Sequence, residues 1–215
     1  MPSSVPPRLR CEVLSRSFYD RDPRLVARGL LGKILVRDIG ANKRLAGRIV
    51  ETEAYLGAGD AAAHSAAGRT PRNAVLFGPP GHAYVYFIYG NHYCLNASCL
   101  GEGNAGCVLI RALEPLVGLA HMAANRGLVL PFRPPPGFLR LLTSGPGRLS
   151  EALAITRERD NGKDLAAPNS DLYLASDGIP PQAIAATRRI GITKAAEEPL
   201  RFVIVGNPFV SHRAR

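Results

Sequence analysis

Two glutamates one residue apart, Glu51 and Glu53 in IVETEAYLG (49–57), open the part of the chain where reactive side chains are concentrated. A carboxylate near a strand end, followed by a flexible loop, can hold a water molecule and accept its proton. Tyr55 and His64 follow, one an aromatic wall and the other a neutral hydrogen-bonding group. Next comes AYVYFIYGNHYCLNAS (83–98), with tyrosines at 84, 86, 89 and 93. The chain around these residues is strongly basic, with a formal net charge of +10. Positive charge suits phosphates, flat rings suit an extruded base, and a carboxylate suits bond hydrolysis. Together they point to an enzyme that draws a base out of DNA.

These side chains need elements to position them. DPRLVARGLLG (22–32) reads as a helix, with Pro23 in its first turn and Gly32 near its end. KILVRDI (33–39) reads as a strand, and residues 41–43 turn into a second strand over 45–52 or slightly beyond. Strict alternation there places Leu45, Gly47, Ile49, Glu51 and Glu53 on one face. Residues 57–82 lack periodicity and make a long loop of the kind that often carries function. Residues 83–89 form an aromatic strand, with Tyr84, Tyr86 and Ile88 on one face and Val85, Phe87 and Tyr89 on the other. Gly90-Asn91 signals a tight two-residue turn, so Tyr89 sits beside a hairpin tip, where a ring is free to wedge into a base stack.

Beyond the hairpin, 107–115 is an apolar strand. The spacing of Leu116, Leu119, Ala120, Ala123 and Ala124 predicts a helix over 115–125. Residues 131–138 (PFRPPPGF) read as an irregular surface connection, 143–156 as a helix, and 171–175 and 201–206 as late strands. The fold class expected is α+β. It is one compact domain over 15–215, with a mixed or antiparallel curved sheet, flanking helices and a protruding β-hairpin. Residues 1–14, rich in Pro, Ser and Arg, are expected to be a flexible segment.

Composition narrows the function classes. The 215 residues suffice for one domain with a full core. No stretch approaches the roughly 18 apolar residues of a membrane span. The N-terminus carries no apolar signal-peptide core, which favours an intracellular protein, in cytoplasm or nucleoid if bacterial and in the nucleus if eukaryotic. Cys11, Cys94, Cys99 and Cys107 make no CxxC pair and no zinc-like spacing, so they read as reduced thiols and no metal is expected. Arginine outnumbers lysine 23 to 4. Its fork binds phosphate and its plane stacks on bases, although genomic base composition produces the same bias.

The motifs VARGLLGK (26–33), VETEAYLG (50–57), AAHSAAGRTPRN (62–73), YVYFIYG (84–90), CLNAS (94–98), VLIRALEP (108–115), LTSGPGRL (142–149) and PLRFVIVGNPFVS (199–211) occur in that order. Through them the chain resembles the alkyladenine, or methylpurine, DNA glycosylase family from about residue 15 onward. The resemblance implies a base-excision-repair hydrolase that flips damaged purines from double-stranded DNA. It would cleave the N-glycosidic bond with no cofactor and no lyase step, acting as a monomer.

It also implies roles. Glu53 corresponds to the general base and Arg111 to the arginine that helps hold the attacking water. Tyr55, His64 and Tyr86 correspond to residues that sandwich and hydrogen-bond the flipped base. Asn96 corresponds to the asparagine that disfavours the exocyclic amino group of guanine, and Ile190, in RRIGI (188–192), to a residue whose carbonyl contacts the water. Tyr89 corresponds to the intercalating tyrosine. Gly145, Gly147 and Arg148, at a helix start, are candidate DNA contacts, as is Asn91, which stands where some relatives carry an apolar residue. The loop AGDAAAH (58–64) is less acidic than in some relatives. Two rival readings are a helix-hairpin-helix glycosylase, with Asp160 or Asp164 catalytic, and a damage-binding protein without catalysis.

Overall fold

Alternating and continuous apolar runs build nine strands among the residues described in the computed structural model, namely 11–41, 43–88, 90, 92–181 and 183–211. They are β1 (Glu12–Val13), β2 (Ile34–Asp38), β3 (Arg44–Tyr55), β4 (Ala83–Ile88), β5 (His92–Cys99), β6 (Gly106–Val117), β7 (Leu172–Ser176), β8 (Ile184–Thr187) and β9 (Arg201–Ile204). The sheet order is β1-β7-β2-β3-β6-β5-β4, with β9 beside β3 and β8 beside β9. Every pairing is antiparallel. One edge of β3 pairs with β6, while the other is shared: residues 44–48 pair with β2 and residues 51–53 with β9.

The helices are α1 (Arg16–Tyr19), α2 (Pro23–Leu30), α3 (Leu119–Asn125), α4 (Pro136–Thr143), α5 (Pro146–Ala152) and α6 (Arg157–Asp160). In α2 Pro23 opens the first turn, where a missing N–H costs nothing, and the Asp22 side chain accepts from Arg24 N at 2.8 Å. Its Val26, Ala27 and Leu30 join the main core, with Ile49 and Ala54 of β3, Ile110 and Leu113 of β6, and Leu149 and Leu153 at the end of α5. The fold is α+β, as the sequence suggests. Among the described residues no helix is long and apolar enough to cross a membrane.

The face assignment along β3 needs correction. Leu45 and Ile49 lie in the main core, as does Ala54, and the Thr52 hydroxyl donates to the Ala27 carbonyl of α2. Glu51 and Glu53 therefore occupy the opposite face from Leu45 and Ile49. The cause is a register irregularity: Ile49 pairs with Leu113, but Glu51 pairs with Ala112 and Thr52 with Ile110. Val50 is skipped on β3 and Arg111 on β6. Each strand so turns two consecutive residues away from the core, Val50–Glu51 on one and Arg111–Ala112 on the other. Such irregularities re-aim side chains, and they often sit beside functional sites.

Other boundaries differ for local reasons. Residues 115–117 continue β6 instead of opening a helix, because Pro115 and Val117 pair with Gly47 and Ala46 of β3. The helix waits for Gly118 at φ 81°. The proline run at 134–136 does not exclude regular structure. Pro136 starts α4, a position where proline is favoured. The segment expected to be flexible up to residue 14 is ordered at its end, where Glu12 and Val13 pair with Ser176 and Ala175. Ile88 pairs with His92, and the turn expected at Gly90-Asn91 falls partly outside the described residues. The short strand β8 has no strong signal in its sequence.

The loop that follows β3 is anchored by close backbone approach. Gly57 has φ 85°, and a Cβ there would lie 2.4 Å from the Ala105 carbonyl oxygen, whereas Gly59 (φ 89°) faces open space. Gly59→Ala should incur only the left-handed backbone strain, about 1 kcal/mol. Gly57→Ala should lose a further 1–3 kcal/mol or so from the clash. Urea unfolding of both variants checks this, and equal losses would mean that the contact with Ala105 yields freely.

Candidate active site

The paired irregularity brings three charged groups together beneath the sheet. Arg111 Nε donates to Glu51 Oε1 at 2.8 Å, and its Nη1 lies 3.2 Å from Glu53 Oε1. Both carboxylate side chains are fully buried. Glu51 also accepts from Arg201 Nε at 2.7 Å and from the backbone N–H and hydroxyl of Ser211 at 2.7 and 3.0 Å. Burial alone would raise the Glu51 pKa, but Arg111, Arg201 and the Ser211 amide outweigh it and hold the carboxyl below its ordinary value. Burial likewise opposes the Arg111 cation, and Glu53 and Glu51 more than restore it.

Glu53 is held differently. Ile190 N donates to its Oε1 at 2.8 Å and the Tyr55 hydroxyl to its Oε2 at 2.9 Å. Arg111 adds an ion pair at 3.2 Å, and Arg201 stands directly across from Glu53 on β9. Glu51 has no comparable role: two guanidiniums and Ser211 surround it, which makes it the support of Arg111.

Above this cluster lies a cleft of about 600 Å³, lined among others by Tyr55, His64, Tyr86, Asn96, Arg111 and Ile190. Burial pushes the Tyr55 hydroxyl well above its usual range, and the neighbouring Glu53 adds to this. His64 Nδ1 lies 3.0 Å from the Tyr84 hydroxyl, and its ring meets that of Tyr86 edge to face at 4.5 Å. Burial, with a smaller contribution from Arg72, lowers the His64 pKa, so the imidazole is neutral at pH 7. Asn96 lies directly across from Tyr84 on β5 and donates to its carbonyl at 3.2 Å. Cys94 and Cys107 also line the cleft, and burial raises their thiols to about 11 and about 12. They are therefore protonated, as is ordinary for buried cysteine.

The residues singled out from the sequence meet here unevenly. Arg111, Tyr55, His64, Tyr86, Asn96 and Ile190 line the cleft, with Gly145, Gly147 and Arg148 as another wall. Glu53 does not line it; it is buried and bound to Tyr55, Arg111 and Ile190. Gly147 is needed for packing, since a Cβ would lie 2.8 Å from His92 Cγ. Tyr89 and Asn91 lie outside the described residues. Asp160 and Asp164 are not on the cleft. Asp160 is fully buried against Arg37 at 2.7 Å, and Asp164 pairs with Arg16. With an antiparallel sheet at its centre, the chain is not a helix-hairpin-helix protein. Sequence reasoning missed Arg201 and Ser211 around Glu51. It also missed Arg189, which binds Asp60, and Asn73, which pins the loop through the carbonyls of His64 and Gly68 at 2.9 and 3.0 Å. Asn73 ends the TPRN motif, a visible signal. Ser211 lies 160 positions from its partner and gave none.

The family model for methylpurine-DNA glycosylase matches residues 17–208. The chain belongs to this family. It is 63% identical over 198 residues to a protein of Koribacter versatilis, covering 92% of each chain. It is 47% identical over 206 residues to one of Burkholderia lata, covering 95% of this chain and 94% of that one. A relative in Methanoculleus marisnigri is 48% identical over 204 residues, covering 93% and 99%. All three bear the name "Putative 3-methyladenine DNA glycosylase". The protein is accordingly an N-glycosylase hydrolase of DNA base-excision repair.

Glu51→Gln should destabilise the protein by about 3–5 kcal/mol, because it leaves Arg111 and Arg201 facing a neutral amide in a buried setting. The wild-type contribution is also pH-dependent. A carboxyl with a depressed folded pKa stabilises above its unfolded value of about 4.3, and that stability is lost as pH falls through the folded pKa. The variant should therefore lose less stability than wild type below about pH 4.3. Urea titrations at pH 3–7 read both effects, and parallel pH curves would remove Glu51 as the source.

Proposed function

We propose that the protein flips damaged purines out of duplex DNA and hydrolyses their N-glycosidic bond with a water activated by Glu53, leaving an abasic site. The observation that carries this reading is the Glu53 carboxylate, buried between Arg111, the Tyr55 hydroxyl and the Ile190 amide beneath an aromatic cleft. Bond cleavage develops positive charge on the sugar. A fixed carboxylate stabilises that charge and then accepts a proton from the attacking water. Arg111, 3.2 Å from Glu53, helps orient the water, with the Ile190 carbonyl as a further acceptor. Among the described residues none that lines the cleft is a lysine. Direct hydrolysis therefore fits better than a Schiff-base route with strand cleavage.

The substrate class follows from the walls. Tyr55, His64 and Tyr86 sandwich the flipped base, and a cationic alkylated purine such as 3-methyladenine or 7-methylguanine gains about 0.5–2 kcal/mol from the rings. The relatives' names agree with 3-methyladenine. Neutral hypoxanthine and ethenoadenine fit the same plane. Asn96 crowds the position of the guanine 2-amino group. Tyr89 fills the gap left in the duplex, while Asn91, Gly145, Gly147 and Arg148 contact the DNA backbone. Damaged pairs also unstack at lower cost.

Glu53→Gln should abolish base release, by at least about a hundredfold, while binding to an abasic-site analogue stays near wild type. Glutamine keeps the shape but accepts no proton. Release of free base from methylated duplex DNA, followed by alkali cleavage, measures it. Near-normal turnover by the variant would remove Glu53 from the role.

Asn96→Ser should admit undamaged guanine, since the shorter side chain leaves room for its 2-amino group. Guanine release from normal duplex DNA reports on this. If wild type and variant are equally inert while lesion turnover is unchanged, Asn96 is not the gatekeeper.

A further inference from the structure

Arg189 is a buried cation with an unusual set of neighbours. Its side chain is completely shielded from solvent and does not line the cleft. Nη1 donates to the Ala54 carbonyl at 3.0 Å and to Asp60 Oδ2 at 2.6 Å. Nη2 donates to Asp60 Oδ1 at 2.9 Å and to the Ala195 carbonyl at 3.3 Å. The guanidinium carbon stands 4.8 Å from the centre of the Tyr55 ring. Asp60, the other half of the fork, accepts from the backbone N–H groups of Leu56 and Ala62, both at 3.1 Å.

These contacts tie three separate parts of the site to one group. Ala54 is the residue between Glu53 and Tyr55, so the fork grips the strand backbone between the proposed base and its stacking ring. Asp60 shapes the turn that leads to His64. Ile190, the next residue after Arg189, gives its N–H to Glu53 Oε1. A planar fork bound in two directions and stacked on a ring is a rigid joint that lysine does not reproduce.

We infer that Arg189, through Asp60, is a positioning residue for the reaction: it sets the plane of Tyr55 and aims the Ile190 amide at Glu53. This inference rests on the functional reading above. A carboxylate held by one N–H bond fewer is aimed less well at the reacting atoms, so a misaimed Ile190 amide must show in the rate of the chemical step and not in DNA binding. The groups around Glu53 are Tyr55 on β3, Arg111 on β6, Arg201 opposite it on β9, and the Ile190 amide. Of these, the Ile190 amide belongs to the segment that carries Arg189.

The test compares wild type, Arg189→Lys and the charge-neutral double variant Arg189→Leu/Asp60→Asn, with Glu53→Gln as the inactive reference. Single-turnover base release from methylated duplex DNA is followed alongside thermal melts and binding to an abasic-site analogue. Expected is a folded Arg189→Lys whose maximal rate falls on the order of tenfold or more. Analogue binding should change by less than about threefold. The double variant should show the same loss of rate, larger. A folded Arg189→Lys with the wild-type rate, or with a loss of analogue binding equal to its loss of rate, would overturn the inference. Failure of both variants to fold would assign Arg189 to stability alone, which also overturns it. Inert wild type would refute the functional reading, whereas active wild type with inert Glu53→Gln upholds that reading whatever the Arg189 variants do.

Discussion

The site depends on a guanidinium shared between two buried carboxylates. Arg111 spans Glu51 and Glu53, and Arg201 supplies the second cation that keeps the cluster from carrying uncompensated negative charge. Charges taken out of water are tolerable only when each is paired and hydrogen-bonded. That requirement reaches outward. Arg201 must come from β9, and Ser211 must return from beyond it to cap Glu51 with its N–H and hydroxyl. The late chain is thus drawn onto the far half of β3, leaving the near half to β2.

The same constraint explains the irregular pairing of β3 with β6. Regular alternation would leave Glu51 and Glu53 on the face of Leu45 and Ile49, in an apolar core without partners. Skipping one residue on each strand turns Val50–Glu51 and Arg111–Ala112 outward together, so the acids and their arginine meet on the opposite side. Because the skips match, the register beyond them is restored, and Tyr55 follows Glu53 onto the cleft by ordinary alternation. One local distortion therefore places both acids, Arg111 and the Tyr55 ring while leaving the core intact.

The positive charge of the chain reads differently once the arginines are located. Arg37, Arg111, Arg189 and Arg201 are buried and bound to acids, so they serve the interior. Four of their acidic partners, Asp160, Glu51, Glu53 and Asp60, are equally hidden, which leaves the net excess of +10 with the remaining residues. An electrostatic attraction to phosphate is thus compatible with heavy structural use of arginine. A bias toward arginine over lysine suits both uses, because the fork binds two acceptors at once in either setting.

Much of the outline was legible from local pattern. The strands at 34–38 and 83–88 follow from apolar and aromatic runs, and α2 follows from Pro23 with its amphipathic spacing. Alternation correctly sent Tyr84 and Tyr86 to one face, because β4 pairs with β5 without interruption. Motif order sufficed to gather Glu53, Tyr55, His64, Tyr86, Asn96 and Arg111 into one candidate site. What the sequence could not decide were outcomes set by partners far away in the chain. Alternation failed for Glu51 and Glu53, because the skip at Val50 answers to a skip in β6, some 60 positions later in the chain. Leu116 and its neighbours kept a helical spacing, yet cross-strand pairing with β3 held residues 115–117 in a strand. Arg189 and Ser211 carry no local mark of their roles, since a guanidinium becomes a joint only when Asp60, Ala54 and the Tyr55 ring surround it. Hydrogen bonds in the interior are settled between whichever groups folding brings within reach. Residue type along the chain sets which contacts are possible, and packing selects among them.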